Sequence, residues 1–549
     1  MAIDPELGIT KTEYEPNNTT LETESKHNGE VYATHGETQR GIKSRHAQML
    51  AIGGAIGTGL FVGTGQALAI GGPGPLLLSY CIICMMAYGI FTATGEMSSY
   101  LPVPGCSIAY FANRFVSKSL GFAMGWLYWY SFSIITAYGV TAAALVINYW
   151  PNNVPIAVWI SVMLFVIVGL NLLPVRYYGE TEFWFASLKV FMILGLLILS
   201  VVLCLGGGPN HQRLGFHYWN DPGPWKEYLV SGASGRFCSF LYVICFSVFS
   251  FVFAPELFVI AAGEMKRPRK NLPTAMKRCF YRLVIFYVLG VIAIGVICDS
   301  NAQGLTNGGE GASASPWTIA IKEAGIKGLD SVINAVIITS AWSSGNSYLY
   351  MATRSLYSLS MAGNAPRVFS NCTKWGIPYN ALLASCTIAL LAYMSCGSGS
   401  SAVFNWFVSL TNMAGFISWS CVGIIYHRFR GACRAQGVNV PYRSKFQPYL
   451  AYFDSSMSAL LCLCNGFDNF FPGRWSVSSF LTSYVGLPIF LCIYFSHRIY
   501  THLEPWSIPL GNIDLHTDLS EIIAMEEEEE ANEPVRRSGW KARMKVIWD

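Results

Sequence analysis

The stretch Gly53-Gly54-Ala55-Ile56-Gly57-Thr58-Gly59-Leu60-Phe61-Val62-Gly63-Thr64-Gly65 sets six glycines inside an otherwise apolar segment long enough to enter a bilayer core. Each glycine weakens a helix by roughly 1 kcal/mol relative to alanine. The run therefore predicts backbone that unwinds there and leaves amides and carbonyls free for a ligand. In hydrocarbon such backbone survives only inside protein or beside a cavity. Secondary transporters use broken helices of this kind to aim half-helix N-termini at an anionic substrate group near the bilayer midplane. The same residues also form Gly-x-x-x-Gly pairs, Gly53 with Gly57 and Gly59 with Gly63, which suit close helix packing. Glycine spacing alone leaves both readings open. A dinucleotide-binding turn is excluded, because it must follow a strand and open a soluble helix.

Outward from this stretch the chain keeps its apolar character. Of 549 residues, 52% are hydrophobic and only 12% charged, about half the charge of an ordinary soluble domain. The chain reads as an all-α membrane protein embedded in the lipid bilayer. A net charge of +4 is too small to imply a nucleic-acid partner. Most of the sixteen cysteines, Cys81, Cys84, Cys245, Cys421, Cys462 and Cys464 among them, lie in apolar segments and read as small buried hydrophobes. The nine histidines are scattered through tails and loops, so neither a metal site nor a cofactor is expected. An enzyme would need a nucleophile with its base, a metal cluster or clustered acids, and the sequence offers no such set.

Apolar segments of spanning length recur at about 47–68, 77–98, 122–148, 155–173, 182–205, 237–262, 280–299, 329–358, 379–396, 402–426, 450–469 and 477–497, which gives about twelve transmembrane helices. Arg40, Lys43 and Arg45 precede the first span. Lys266, Arg267, Arg269, Lys270, Lys277 and Arg278 follow the sixth, and Arg428, Arg430, Arg434, Arg443 and Lys445 follow the tenth. These segments share one side, so the positive-inside rule predicts that both termini are cytosolic. The expected organisation is a polar cytosolic tail at 1–45, which shows no signal peptide, a transmembrane domain at 46–498 and a cytosolic tail at 499–549. The acidic run Glu526 to Glu530 predicts a solvated interaction tail; trafficking or ubiquitination machinery is the expected partner of the tails.

Two ionisable side chains inside spans stand out, while the eleventh span also carries Asp454 and Asp468. In the sixth, Phe249-Ser250-Phe251-Val252-Phe253-Ala254-Pro255-Glu256-Leu257 combines a helix breaker with a carboxylate. Proline removes an amide and frees a carbonyl, and an intramembrane acid needs a cavity or a partner. In the fifth, Lys189 lies too deep in Phe185-Ala186-Ser187-Leu188-Lys189-Val190-Phe191 to reach either interface comfortably. Spans one and six, both irregular, are five helices apart, as inverted five-helix repeats would set them.

These motifs resemble the yeast amino-acid transporter family of fungal permeases, within the amino acid-polyamine-organocation superfamily. The likeness runs from Ser44 to about Thr517. It is carried by Ser44-Arg45-His46 through Gly65, Gly95-Glu96-Met97, Leu101-Pro102-Val103-Pro104-Gly105, Gly263-Glu264, Pro268-Arg269-Lys270 and Pro273. The dicarboxylic amino-acid permease branch is resembled most, in Tyr178 through Phe185, Gly206-Gly207-Gly208-Pro209, Gly215-Phe216, Tyr218-Trp219 and Ala312-Ser313-Ala314-Ser315-Pro316. The resemblance implies a LeuT-like fold of two inverted five-helix repeats plus two helices. It implies proton-driven import of an amino acid, acidic or broad in range, across the fungal plasma membrane.

Carried over by residue, it sets the substrate carboxylate against the amides of Gly57, Thr58 and Gly59. The substrate amino group then faces carbonyls near Ile56 and along Phe251, Val252, Phe253 and Ala254, beside Glu256. Ala254-Pro255-Glu256 departs from the Gly-Thr-Glu expected there, which alters pocket width. Lys189 is implied to stand where sodium bridges spans one and eight in sodium-coupled members, with Ser343 or Ser344 as hydroxyl partners. That makes Lys189 the expected proton-coupling residue and Glu256 the alternative. An uncoupled facilitator or exchanger, and a non-transporting amino-acid sensor, stay open as other functions.

Overall fold

The computed structural model describes residue 57 and residues 59–103, 107–151, 153–262, 265, 268–306, 315–397, 400–502 and 504–531. Helices occupy the predicted spans, the first (expected at about 47–68) only from Gly59 on because its earlier part lies outside the described residues: Gly59–Gly71, Pro73–Tyr100, Lys118–Ile147, Ile156–Asn171, Val175–Cys204, a sixth broken into Gly232–Ser247 and Ala254–Ala262, Pro268–Ile297, Leu329–Met361, Tyr379–Ala389 continued by a 3-10 stretch Leu390–Cys396, Ser400–Ala435, Tyr449–Cys464, and a twelfth made of Val477–Tyr484 and Gly486–Tyr500. They are spans one to twelve in that order. Among the described residues seven helices are long and apolar enough to cross a bilayer, and the twelfth, bent by 44°, makes an eighth. Span eight is 33 residues long, but Asn334, Ser340, Ser343, Ser344, Asn346, Ser347 and Arg354 lower its hydropathy, and all of them are buried. Its polar face is turned into the protein, where an intramembrane polar group can find partners.

Local chemistry sets the helix ends. Pro73 opens span two directly after Gly72, whose φ of +84° suits glycine. Ser107 and Ser117 cap the short helix Ile108–Phe115 and span three, their hydroxyls accepting from Tyr110 N and Leu120 N at 3.3 and 3.2 Å. Within the bilayer no hydrophobic force holds helix to helix, so close contact decides the packing. Span three lies against span eight at Gly139, where a Cβ would stand 3.0 Å from Ala341 O and from Gly345 Cα. Span two packs on span seven. Phe165 on span four and Trp184, Phe191 and Ile198 on span five are exposed, as a lipid-facing surface requires.

Beyond span twelve the chain doubles back across one end of the bundle. Ile508 N donates to Val116 O at 3.0 Å, Gln436 Nε2 donates to Ile513 O at 2.7 Å, and Tyr100 OH donates to Leu515 O at 3.1 Å. Ile513, Leu515 and Ile522 are buried. Arg114 pairs with Asp514 and Asp518 at 3.2 and 3.3 Å. Burial pushes the Asp514 carboxyl up, but hydrogen bonds from Thr517 and the Arg114 charge outweigh that and hold it below its usual value. Its contribution is therefore complete above the ordinary carboxylate range and fades as pH falls through the lowered value. The acidic run, expected to be solvated, is in part engaged: Glu526 accepts from Arg269 N at 3.0 Å. Arg114→Ala is expected to release the segment and to speed limited proteolysis within 505–518 by about fivefold, as loss of about 1 kcal/mol of local stability would. Unchanged protection would mean that the apolar anchors hold it alone.

Candidate functional site

Span six shows where the backbone gives way. Its first helix ends at Ser247, Val248–Ser250 is a 3-10 turn, residues 251–253 form turns, and helix resumes at Ala254. The expectation for Pro255 needs correction: the break precedes it. Pro255 is the second residue of the resumed helix, where its missing N–H is not needed. Phe253 takes a left-handed φ of +65°, a conformation that costs an aromatic residue free energy. Its ring is held edge-on by Tyr128 and Phe132 at 5.8 and 5.3 Å.

The carbonyls freed by the break have donors. Asn412 Nδ2 on span ten donates to Cys245 O and Phe246 O at 3.1 and 3.3 Å. Tyr287 OH donates to Ser250 O at 2.6 Å and Tyr348 OH to Val252 O at 3.3 Å. Three neighbouring spans thus satisfy backbone that would otherwise be orphaned in the membrane.

Span one meets this break directly. Gly57 lies in a bend, and Gly59–Gly63 winds as a single π-helical turn before the α-helix begins. Such turns recur at functional sites. A Cβ on Gly59 would stand 2.6 Å from Ser250 Oγ, and one on Gly63 would stand 2.5 Å from the Phe249 ring. The glycines therefore let two irregular segments touch. Ser315 Oγ donates to Phe61 O at 2.7 Å and covers one carbonyl of the π turn.

Where the segments meet there is a small cavity lined by Gly57 and Gly59, by Phe249 and Ser250, by Ile135 and Tyr138 from span three, by Ser344 and Tyr348 from span eight, and by Val408 and Thr411 from span ten. Its interior of ≈ 30 Å³ has room for about two water molecules, less than an amino acid needs. The wall is apolar and aromatic with a few hydroxyls, and among the described residues no Asp, Glu, Lys or Arg lines it. Thr411 Oγ1 is buried and has no hydrogen-bond partner among the described residues.

Of the expected site residues, Gly57 and Gly59 line this cavity; Ile56 and Thr58 lie outside the described residues. Phe251, Val252, Phe253, Ala254 and Glu256 are all buried but stand behind the wall. The Phe251 ring lies tilted against Tyr287 at 4.2 Å, and Glu256 Oε1 accepts from Ser418 Oγ at 3.1 Å. Lys189 is fully buried and within electrostatic reach of Glu182, two turns earlier on the same helix. Ser343 Oγ donates to Glu182 at 3.0 Å rather than serving only the lysine, while Ser344 lines the cavity. A Cβ on Gly290 of span seven would stand 3.9 Å from Ile193 Cδ1, one turn beyond Lys189, and 3.3 Å from Leu60 Cδ1 of span one.

Comparison with known proteins agrees with this architecture. A family profile described as amino acid permease matches residues 46–506. The chain is 46% identical to a proline-specific permease of Emericella nidulans over 91% of this chain and 92% of that one. It is 43% identical to a proline-specific permease of Saccharomyces cerevisiae, over 88% and 79%. To the dicarboxylic amino acid permease of the same yeast it is 40% identical, over 89% and 81%; the likeness to that branch is present, and the proline-specific relatives are more similar. A manganese transporter of Eremococcus coleocola, 11% identical, superposes with a TM-score of 0.54 over 86% of this chain and 99% of that one, a likeness of fold alone. The chain belongs to the amino acid permease family, as a multi-pass membrane transporter of amino acids and not an enzyme.

Proposed function

We propose that this permease imports proline, or a neutral amino acid of similar size, coupled to inward proton flow across the plasma membrane with both termini in the cytosol. The observation that supports the substrate reading is the cavity wall, which among the described residues holds no Asp, Glu, Lys or Arg. An acidic or basic side chain buried there would lack the partner that intramembrane charge requires. Relatives named proline-specific permeases, at 46% and 43% identity, support the same reading over an acidic substrate. Amides of the first break, at Gly57 and Gly59, meet the substrate carboxylate as a half-helix end meets an anion, and the aromatic wall of Tyr138, Phe249 and Tyr348 takes the ring. Lys189 carries the coupled proton.

The test is uptake of radiolabelled proline by yeast lacking its own permeases, with unlabelled amino acids as competitors. Proline and small neutral analogues are expected to compete, and aspartate and lysine are not. Competition by aspartate equal to that by proline would overturn the substrate assignment. Thr411→Val is expected to raise KM for proline by about two- to tenfold, the loss of one hydrogen bond, because the Thr411 hydroxyl is left for the substrate. An unchanged KM would remove Thr411 from the site.

A further inference from the structure

Span two is packed by span seven and by span eleven, yet one line of its side chains is left open. Leu78, Cys81 and Met85 are exposed and Tyr88 is half-buried. Spaced by three, four and three positions, these four form a straight stripe on the helix, an apolar floor that ends at an aromatic ring. There Phe280 of span seven approaches Tyr88 at 4.8 Å, and Phe446, from the loop between spans ten and eleven, approaches it at 6.4 Å. The two rings wall the groove from its two neighbours.

The loop that supplies the second wall is fastened to span two. Ser444 N donates to Glu96 Oε1 at 2.7 Å, and Gln447 Nε2 donates to Gly89 O and Thr92 Oγ1 at 2.9 and 2.8 Å. Glu96 and Gly89 lie two turns apart, about 10 Å along the helix, so residues 444–447 run beside span two instead of standing off in water. Lys277 Nζ of span seven lies over the Tyr442 ring of the same loop at 4.8 Å. Lys277, Arg443 and Lys445 are all exposed, and they bring three cations to the mouth of the groove from two separate chain segments. The acid at this mouth, Glu96, is buried and closed on Arg430 at 2.7 Å and on Tyr426, so its charge is already answered. Phe446 and Tyr449, 61% and 78% exposed, add the aromatic rings that favour a membrane–water interface.

We infer that this groove holds one anionic phospholipid, with an acyl chain along Leu78, Cys81 and Met85 and the phosphate among Lys277, Arg443 and Lys445. Apolar floor, aromatic walls and cationic mouth follow one another in the order of a lipid's chain, ester region and headgroup. A soluble anion would use the cations and leave the stripe bare. A zwitterionic lipid would cover the stripe but bring a further cation to a mouth that has three. This end of the bundle is the one read as cytosolic, and the cytosolic leaflet is the one that carries anionic lipid. The bound lipid ties span seven to the loop ahead of span eleven.

The experiment is native mass spectrometry of the purified full-length permease, titrated with phosphatidylserine, with phosphatidylcholine of the same chains, and with glycerophosphoserine, which is the anionic headgroup without chains. The first phosphatidylserine is expected to bind about tenfold or more tightly than phosphatidylcholine, and glycerophosphoserine should not displace it. Arg443→Ala with Lys445→Ala removes two of the three cations and should erase that preference. Met85→Trp fills the floor without changing charge and should weaken both lipids. Arg367→Ala with Lys374→Ala takes the same charge from exposed positions between spans eight and nine, at the same end but outside the groove, and should leave binding unchanged. Equal affinity for the two lipids, equal loss in the two charge pairs, undiminished binding in Met85→Trp, or displacement by glycerophosphoserine would each overturn the inference. Binding by purified protein needs neither proline nor an orientation in the membrane, so failure of either of those readings would show separately.

Discussion

Lys189→Met is expected to abolish accumulation of proline against its gradient while leaving downhill entry in place. One charge moved across a membrane potential gains about 2.3 kcal/mol per 100 mV, which is worth about fiftyfold in concentration. The variant should therefore lose about that factor in the accumulated ratio, measured in cells after steady state is reached. The physical reason lies in how little else could carry the charge. Lys189 is buried, and its Coulombic partner Glu182 is fixed to span eight through Ser343. Methionine keeps the length of the side chain and removes the cation. Leaving a buried carboxylate uncompensated is itself destabilising, so Lys189→Met combined with Glu182→Gln separates coupling from folding. Full pH-dependent accumulation in that double variant would return the coupling role to Glu256.

The positions of the two breaks were written in the sequence because each uses residues that a continuous helix avoids: glycines from Gly53 to Gly65, and proline followed by glutamate at Pro255 and Glu256. The register of the second was not. Proline is tolerated in the first turn of a helix, so Pro255 marks a restart as readily as a stop. What ends the first half is Asn412 of span ten, which draws off the Cys245 and Phe246 carbonyls from more than a hundred residues away. The cavity wall was hidden for the same reason. Ile135, Tyr138, Ser344, Tyr348, Val408 and Thr411 are ordinary occupants of apolar spans until three helices bring them together. Glu182 was missed at a boundary: hydropathy starts span five at about residue 182, whereas the helix begins at Val175 and carries the acid two turns inside. A hydropathy window averages such a residue away, and only burial beside Lys189 shows that it belongs to the interior.

Gly59→Ala should reduce uptake severely without unfolding the protein, because the substitution strikes the contact between the two breaks at the cavity wall. Alanine is a better helix former than glycine, so backbone preference alone predicts no loss at a residue that begins the π turn. The conflict is spatial. The new methyl would stand 2.6 Å from Ser250 Oγ and 3.1 Å from Ser250 Cα, so rotating the hydroxyl away relieves only the first of these. The 3-10 turn of span six must then back off, and the two carbonyl bonds from Tyr287 and Tyr348 resist that movement. Overpacking of this kind costs about 1–3 kcal/mol, which corresponds to about five- to hundredfold in uptake if it falls on the state that holds substrate. Ser250→Ala in the same chain removes the closer contact but not the backbone one. It should therefore recover part of the lost rate and not all of it, measured as kcat/KM at equal surface expression. Wild-type uptake in Gly59→Ala alone would mean that the two breaks separate before substrate binds, and that the wall they form here is not the one the substrate meets.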